Sequence, residues 1–138
     1  MTHNQGVPIG LASRRTGVKV PTIRYYEQIG LLPAPPRSKS NRRLYGAADL
    51  RRLGFIRHAR ELGFEIQAIR ALLSLRDHPE QSCAAADTIA RARLAEVERR
   101  IESLMMLKGE LQRMLAECSR GRVADCRIIE VLADYQAA

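Results

Sequence analysis

The amino-acid sequence predicts a mainly α-helical protein, in which a small domain of short helices is followed by one long helix. The 138 residues include no Trp, two Phe and four Tyr, so the core must consist mostly of aliphatic side chains, which favours helices over a large β-sandwich. Glycine and proline interrupt the first 80 residues at short intervals, whereas residues 82–118 contain no proline and a single glycine. The length suits one domain, or a small domain with an appendage.

Basic residues are concentrated in the first part of the chain, whose overall formal net charge is +8. Residues 1–76 contain 14 basic and 4 acidic residues, a net charge of +10. Residues 77–138 contain 9 basic and 11 acidic residues, a net charge of −2. Because a strongly basic domain favours a polyanionic partner, we expect the first part to bind nucleic acid.

Several classes of protein are excluded by what the sequence lacks. No stretch approaches the roughly 20 apolar residues of a membrane span, and the first ten residues do not resemble a signal peptide. We therefore expect a soluble, cytoplasmic protein with no membrane partner. We also expect no enzymatic activity, since no His pairs with a nucleophile and no glycine-rich phosphate loop occurs.

Two short helices near the N-terminus predict a helix-turn-helix. The first helix is expected over Ile9–Thr16 and is closed by Gly17. The second is expected over Pro21–Ile29, with the proline in its first turn and Gly30 at its end. Helices of this length around a short turn, each with an apolar face, are typical of DNA-binding domains.

A hairpin and a helical pair are expected to complete this domain. Three prolines forbid helix over residues 33–36, and the basic segment from Arg37 to Tyr45 then contains a Ser-Asn turn, which predicts a β-hairpin wing. Apolar residues at helical spacing predict a third helix from near Asp49 to Leu62. A fourth helix is expected from about Phe64 to the residues before His78.

The long helix, from Ser82 to about Cys118, predicts a coiled coil. Its apolar stripe spans five heptads, and no globular core of this size could cover it. In an antiparallel dimer whose facing residue numbers sum to 201, Val97 meets Leu104 of the partner subunit. A parallel dimer is the alternative. The a positions of the heptads are Leu94, Ile101, Lys108 and Leu115. The d positions are Cys83, Ala90, Val97, Leu104, Leu111 and Cys118.

Three cysteines, Cys83, Cys118 and Cys126, indicate a metal site rather than a disulfide framework. Cys83 and Cys118 are 35 residues apart on one helix, so about 52 Å separates them and they cannot share a ligand within one chain. The antiparallel dimer places Cys118 opposite the partner's Cys83, and a polar loop lets Cys126 fold back. Three thiolates suit Cd(II), Pb(II) or Hg(II), or with other geometry Zn(II) or Cu(I). Alternatively, the cysteines are only packing residues.

Several spaced motifs resemble the MerR family of transcriptional regulators, and the long helix with its Cys-x7-Cys loop resembles the metal-sensing branch. The motifs are Ile23–Leu31, Pro36–Ser38, Arg43–Tyr45 and Leu62–Phe64, and the likeness covers residues 7–132. The resemblance implies a winged helix-turn-helix domain, a long antiparallel coiled-coil dimerisation helix, and a short C-terminal metal-binding loop and helix. The implied division is 1–6 as a flexible N-terminus, 7–80 for DNA binding, 81–118 for dimerisation and 119–138 for metal.

The resemblance also implies a mechanism. Family members repress a promoter whose spacer is too long for RNA polymerase, and effector binding makes the homodimer distort the DNA so that the promoter becomes active. The long helix would then supply Cys83 to the metal site of the partner chain. The wing departs from the family pattern at Arg42, where an aromatic residue is usual. The positions that match DNA contacts in the family are Arg24, Tyr26, Arg37, Asn41, Arg42, Arg43 and Tyr45, with Arg60 as a further phosphate contact.

The same resemblance narrows the choice of metal ion. A cysteine at the position of Cys83 goes with divalent sensing, whereas copper and silver sensors have Ser there. Zinc sensors add a His and a further Cys in the loop, and the nearest histidine here, His78, is expected only to end a helix. The seven-residue gap matches copper sensors, so a Cu(I)/Ag(I) regulator using only Cys118 and Cys126 stays open. The other alternative is an architectural DNA-binding dimer with no metal response.

Overall fold

The computed structural model describes residues 6–40, 42–117 and 121–134. It confirms the mainly α-helical fold class, and it divides the chain into two units, Met1–Ala90 and Arg91–Ala138. Among the described residues, no helix is both long and apolar enough to cross a membrane. The helices are α1 (Ile9–Thr16), α2 (Val20–Gln28), α3 (Ala47–Glu61), α4 (Ile66–Arg76), α5 (Ala84–Ala116) and α6 (Arg127–Ala133), with a 3-10 turn at Val123–Asp125.

The predicted helix-turn-helix is present as α1, a three-residue turn and α2. Gly17 ends α1 in the left-handed conformation, with φ of 77°, and its N–H donates to the Ser13 carbonyl at 2.8 Å. A side chain at this glycine would meet the guanidinium of Arg57, which donates to the Thr16 carbonyl at 3.1 Å. Helix α2 begins at Val20, one residue before the predicted start, so Pro21 lies in its first turn.

The predicted wing is present as a minimal hairpin. Arg37 pairs with Arg43 in an antiparallel bridge, and the Ser38 N–H donates to the Arg42 carbonyl at 2.6 Å. A second antiparallel bridge joins Tyr45 to Val7, with both backbone bonds at 2.8 Å. The end of the hairpin, just before α3, is therefore paired with the segment that precedes α1.

Helices α3 and α4 close the core of the first unit. The Gly46 N–H donates to Asp49 Oδ2 at 3.0 Å, which satisfies one donor at the start of α3. Gly63, with φ of 86°, provides the turn into α4. The core is aliphatic apart from two tyrosines, as the composition predicts, and consists of Ala12, Val18, Ile23, Tyr26, Leu31, Leu32, Tyr45, Leu53, Ile56, Ala59, Ile69 and Leu73.

The long helix is present as α5, whose 33 residues make it about 50 Å long at 1.5 Å per residue. Ser82 Oγ accepts the Ala84 N–H at 3.1 Å at its start. The apolar stripe on α5 is exposed in the single chain, so the coiled coil stays a prediction. More than half exposed are its residues Leu94, Ile101, Leu104, Leu111 and Leu115.

Candidate DNA-binding groove and metal-binding loop

Helix α2 and the hairpin line a groove with a volume of about 710 Å³, here called the hairpin groove. Four arginines and one carboxylate carry the charges on its walls. The structure thus brings together four of the residues that the sequence predicts for DNA binding, from two separate elements. The lining residues are Pro8, Ile9, Arg24, Glu27, Gln28, Ala34, Arg37, Arg42 and Arg43.

Glu27 is the carboxylate in this groove, and its side chain is only 7% exposed. Its Oε1 atom lies 2.6 Å from the guanidinium of Arg43, and its Oε2 atom accepts a hydrogen bond from the Tyr45 hydroxyl. Sequence reasoning did not identify Glu27 as a functional residue. The available signal was a lone acidic residue, three positions after Arg24 in a strongly basic half of the chain.

Tyr45 is fully buried and joins the hairpin to Glu27. Burial and the hydrogen bond to Glu27 raise the pKa of Tyr45 to about 12, so the hydroxyl remains a donor even where an ordinary tyrosine ionises, near pH 10. A direct DNA contact by Tyr45, which the sequence predicts, does not fit this burial. Its place in the structure is that of an anchor for the hairpin.

Tyr26 and Arg60 line a different groove, with a volume of about 340 Å³, beside the turn between α1 and α2. Tyr26 is the core member of the adjacent tyrosine pair, at 7% exposure, and burial raises the pKa of its hydroxyl. Tyr25 is about half exposed. Arg60 is exposed and donates to the Phe64 carbonyl at 2.8 Å. The remaining predicted contact, Asn41, lies outside the described residues.

The described residues contain two of the three predicted metal ligands. Cys83 is exposed just before α5, and its carbonyl accepts the Asp87 N–H at 2.9 Å. Cys126 is partly buried just before α6, and neither thiol forms a disulfide. Cys118 lies outside the described residues. Within the described part of this one chain, no three His, Cys, Asp or Glu side chains form a group able to hold a metal ion.

An ion pair joins the two residues that flank Cys118 and Cys126 in the sequence. Arg127 Nε lies 2.9 Å from Glu117 Oε2, and this hydrogen bond with Glu117 is the main reason that the pKa of Arg127 is raised. The same guanidinium lies 2.9 Å from Glu130 Oε1 on α6. Glu117 directly precedes Cys118 and Arg127 directly follows Cys126, so the contact joins the two ends of the Cys-x7-Cys segment.

His78 contacts a backbone carbonyl at the end of α4, as the sequence predicts for a residue at a helix boundary. Its Nδ1 atom lies 2.8 Å from the Ser74 carbonyl oxygen, one turn earlier in the chain. A ring held against the last carbonyls of a helix is a common way to satisfy acceptors at a C-terminus.

Comparison with known proteins identifies the family. Residues 7–75 match the model for MerR HTH family regulatory proteins, and residues 50–114 match the model described as MerR, DNA binding. The transcriptional regulator HmrR of Rhizobium leguminosarum bv. viciae is 38% identical, over 91% of this chain and 97% of that protein. The regulator ZntR of Escherichia coli K12 is 41% identical, over 90% of each chain.

A solved structure supports the same assignment. The transcription regulator PbrR691 of Ralstonia metallidurans CH34, determined in complex with lead(II), superposes with a TM-score of 0.78. It is 37% identical, and the match covers 91% of this chain and 98% of that one. These relatives are transcriptional regulators rather than enzymes. The chain belongs to the MerR family of helix-turn-helix, DNA-binding transcriptional regulators.

Proposed function

We propose that this regulator is a homodimer that responds to a thiophilic divalent metal ion. It represses its promoter without metal, and with metal it distorts the DNA so that RNA polymerase can use a promoter with an overlong spacer. Since it acts on promoter DNA, it works in the cytoplasm. The observation that supports the metal response is the ion pair between Glu117 and Arg127, the residues that flank Cys118 and Cys126 in the sequence.

The ion pair adjoins the two cysteines in the sequence. Each cysteine is the immediate neighbour of one member of the ion pair, and adjacent Cα atoms are about 3.8 Å apart. In our proposal Cys118 and Cys126 supply two sulfur ligands to one metal site. The third cysteine stands before the other end of a helix about 50 Å long, so in our proposal it serves the partner's site. Each site then contains Cys118 and Cys126 with the partner's Cys83.

The donor chemistry favours Cd(II), Pb(II) or Hg(II). Three thiolates without a nitrogen or oxygen ligand suit soft, large ions. The nearest histidine in the sequence, His78, is held by the Ser74 carbonyl instead. A similar regulator that binds lead(II) supports the same choice. Zn(II) and Cu(I) suit this set of ligands less well, because Zn(II) sites commonly include His and Cu(I) needs only two thiolates.

The hairpin groove is the surface we assign to DNA. Its arginines lie on α2 and on the hairpin, so both elements can contact phosphates, and such contacts fix the orientation of a protein on the duplex. A two-fold dimer would place two such grooves on the two halves of a pseudo-palindromic site. Distorting the DNA between them costs on the order of 1–6 kcal/mol, and metal binding must supply a coupling energy of similar size.

The test is an anaerobic titration of the reduced protein with Cd(II), Pb(II), Hg(II), Zn(II) and Cu(I), followed by thiolate-to-metal absorption. We expect one tightly bound divalent ion per chain, lost in Cys83→Ser and retained in His78→Ala. Tight Cu(I) binding that Cys83→Ser leaves unchanged would contradict the three-thiolate site and indicate a two-thiolate copper sensor. The absence of tight binding by any ion would indicate an architectural DNA-binding protein.

A transcription assay tests the second half of the proposal. We expect the metal-free dimer to reduce transcription from its own promoter in vitro, and the metal-bound dimer to increase it. The fraction of DNA bound by protein should change little, since the same dimer both represses and activates the promoter. If metal only releases the protein from DNA, the proposed activation by distortion is wrong.

A further inference from the structure

The hairpin groove contains an electrostatic conflict. Arg37 and Arg43 face each other across the antiparallel bridge of the hairpin, and both line the groove. Like charges directly opposite on neighbouring strands are destabilising. Arg24 and Arg42 add two further positive charges to the same walls. A hairpin this short, with a single bridge between its own two strands, has little backbone pairing with which to resist that repulsion.

Glu27 is placed to resolve this conflict. Its two carboxylate oxygens are divided between two residues of one hairpin strand, Arg43 and Tyr45. Tyr45 is itself fixed, because its ring is fully buried and its backbone pairs with Val7. The carboxylate therefore joins helix α2 to the hairpin at two points, and it is the only negative charge that lines this groove in the described part of the chain.

We propose that Glu27 is a positioning residue for DNA recognition, which sets the geometry of Arg43 and limits the attraction of the groove for phosphate in general. This inference rests on the proposed assignment of the hairpin groove to DNA. The carboxylate holds one guanidinium in a defined position relative to α2. It also offsets one of four positive charges, so a duplex binds well only where its phosphates match the fixed arginines.

Removing the charge should then have opposite effects on two kinds of DNA. Glu27→Gln keeps the size of the side chain and an acceptor for the Tyr45 hydroxyl, but it releases Arg43 and raises the net charge of the groove by one. Random DNA should bind more tightly, because an unrestrained arginine can reach a phosphate in many arrangements. The preference for the correct site should fall, because one fixed contact is lost.

The experiment uses the full-length protein and two duplexes of equal length. One is selected by the wild-type protein from a random-sequence pool, and the other is its scrambled version. Affinities are measured over a range of salt concentrations for Glu27→Gln, Tyr45→Phe and the control Glu96→Gln. Glu96 carries the same charge and lies next to Arg93 on α5, outside the groove. Circular dichroism and thermal unfolding confirm that each variant is folded.

For Glu27→Gln we expect tighter binding to the scrambled duplex, with a salt slope steeper by up to about 0.9. The ratio of the two affinities should fall about tenfold, as expected for one lost charge-assisted contact. Tyr45→Phe keeps the carboxylate, so its binding to the scrambled duplex should stay unchanged while the ratio falls by a smaller factor. Glu96→Gln should change neither.

Two results would overturn the inference. One is a parallel loss of affinity for both duplexes in Glu27→Gln, which indicates a purely structural role, and the other is no change in either affinity. Arg24→Ala and Arg42→Ala distinguish this failure from failure of the proposed function. If these two variants bind both duplexes like the wild type, the groove is not the DNA site. If they lose affinity while Glu27→Gln behaves like the control, only the positioning role is wrong.

Discussion

The two units of this chain differ in how much of their hydrophobic surface is buried within a single chain. The first unit contains a core of twelve buried residues, to which each of its four short helices contributes. In the second unit, Met114 is the one hydrophobic side chain that is buried among the described residues. Its long helix instead exposes a stripe of aliphatic residues to solvent.

This difference follows the division of function that we propose. DNA recognition needs arginines held in fixed positions, and a self-sufficient core can hold them. In our proposal the metal response depends on ligands from two chains. The exposed stripe of the second unit favours dimerisation, because a partner can bury it. The comparison predicts that damage to the stripe acts through assembly, while damage to the first unit acts through folding or DNA binding.

The largest effect is expected from Leu104→Glu. In the proposed dimer this residue meets Val97 of the partner subunit, so the change removes two buried leucines and introduces two carboxylates. We expect dimerisation to weaken by at least about 3–6 kcal/mol, measured by sedimentation equilibrium. Met106→Glu is the matched control, because Met106 lies on the outer face of the predicted heptad and is 76% exposed, against 57% for Leu104. Equal effects of the two changes would refute the predicted seam.

A core truncation in the first unit should be next in size. Ile56→Ala removes a fully buried side chain and should lower the free energy of unfolding by about 2–5 kcal/mol. Leu62→Ala, at a position that is 56% exposed, should cost less than about 1 kcal/mol. Urea denaturation at a fixed protein concentration measures both. A similar cost for both variants would mean that the first unit also depends on a partner to bury its surface.

Loss of one groove arginine should have a moderate effect. Arg24→Ala should weaken binding to the selected duplex about tenfold and reduce the salt slope by about 0.9, because one cation–phosphate contact disappears. Arg99→Ala, an exposed residue on the outer face of the predicted heptad, makes the same charge change on α5. Fluorescence anisotropy over a salt series measures both. A slope that falls equally in the two variants would assign the effect to net charge alone.

The smallest effect concerns pH. The pKa of Tyr45 is raised to about 12 from its usual value of 10, so the folded state retains a proton that the unfolded state loses between these values. This contribution to stability is complete below pH 10 and is lost as the pH rises towards 12. Phenolate absorbance should show a late titration that loses one tyrosine in Tyr45→Phe and is unchanged in Tyr25→Phe. Normal titration of all tyrosines would contradict the buried anchor.

The sequence predicted the order of the helices in the described part of the chain and the approximate bounds of the first five, because glycines and prolines mark their ends and apolar spacing marks their faces. It also named four arginines that the structure brings together in the hairpin groove, the surface that we propose for DNA. It could not predict that Tyr45 is buried, since a tyrosine in a hairpin fits a core and an interface equally well. Glu27 escaped notice because its role depends on two residues 16 and 18 positions further along the chain. Pairing of this kind arises only when the hairpin folds against α2.

The central claim is that each metal site takes ligands from two chains, and a complementation experiment tests it most directly. Cys83→Ser and Cys126→Ser are each expected to lose tight divalent binding. When the two variants are mixed and allowed to exchange subunits, half of the dimers are mixed, and each mixed dimer contains one intact site. We predict that binding recovers to about one quarter of the wild-type capacity. No recovery in a mixture shown to contain mixed dimers would contradict a site shared between chains.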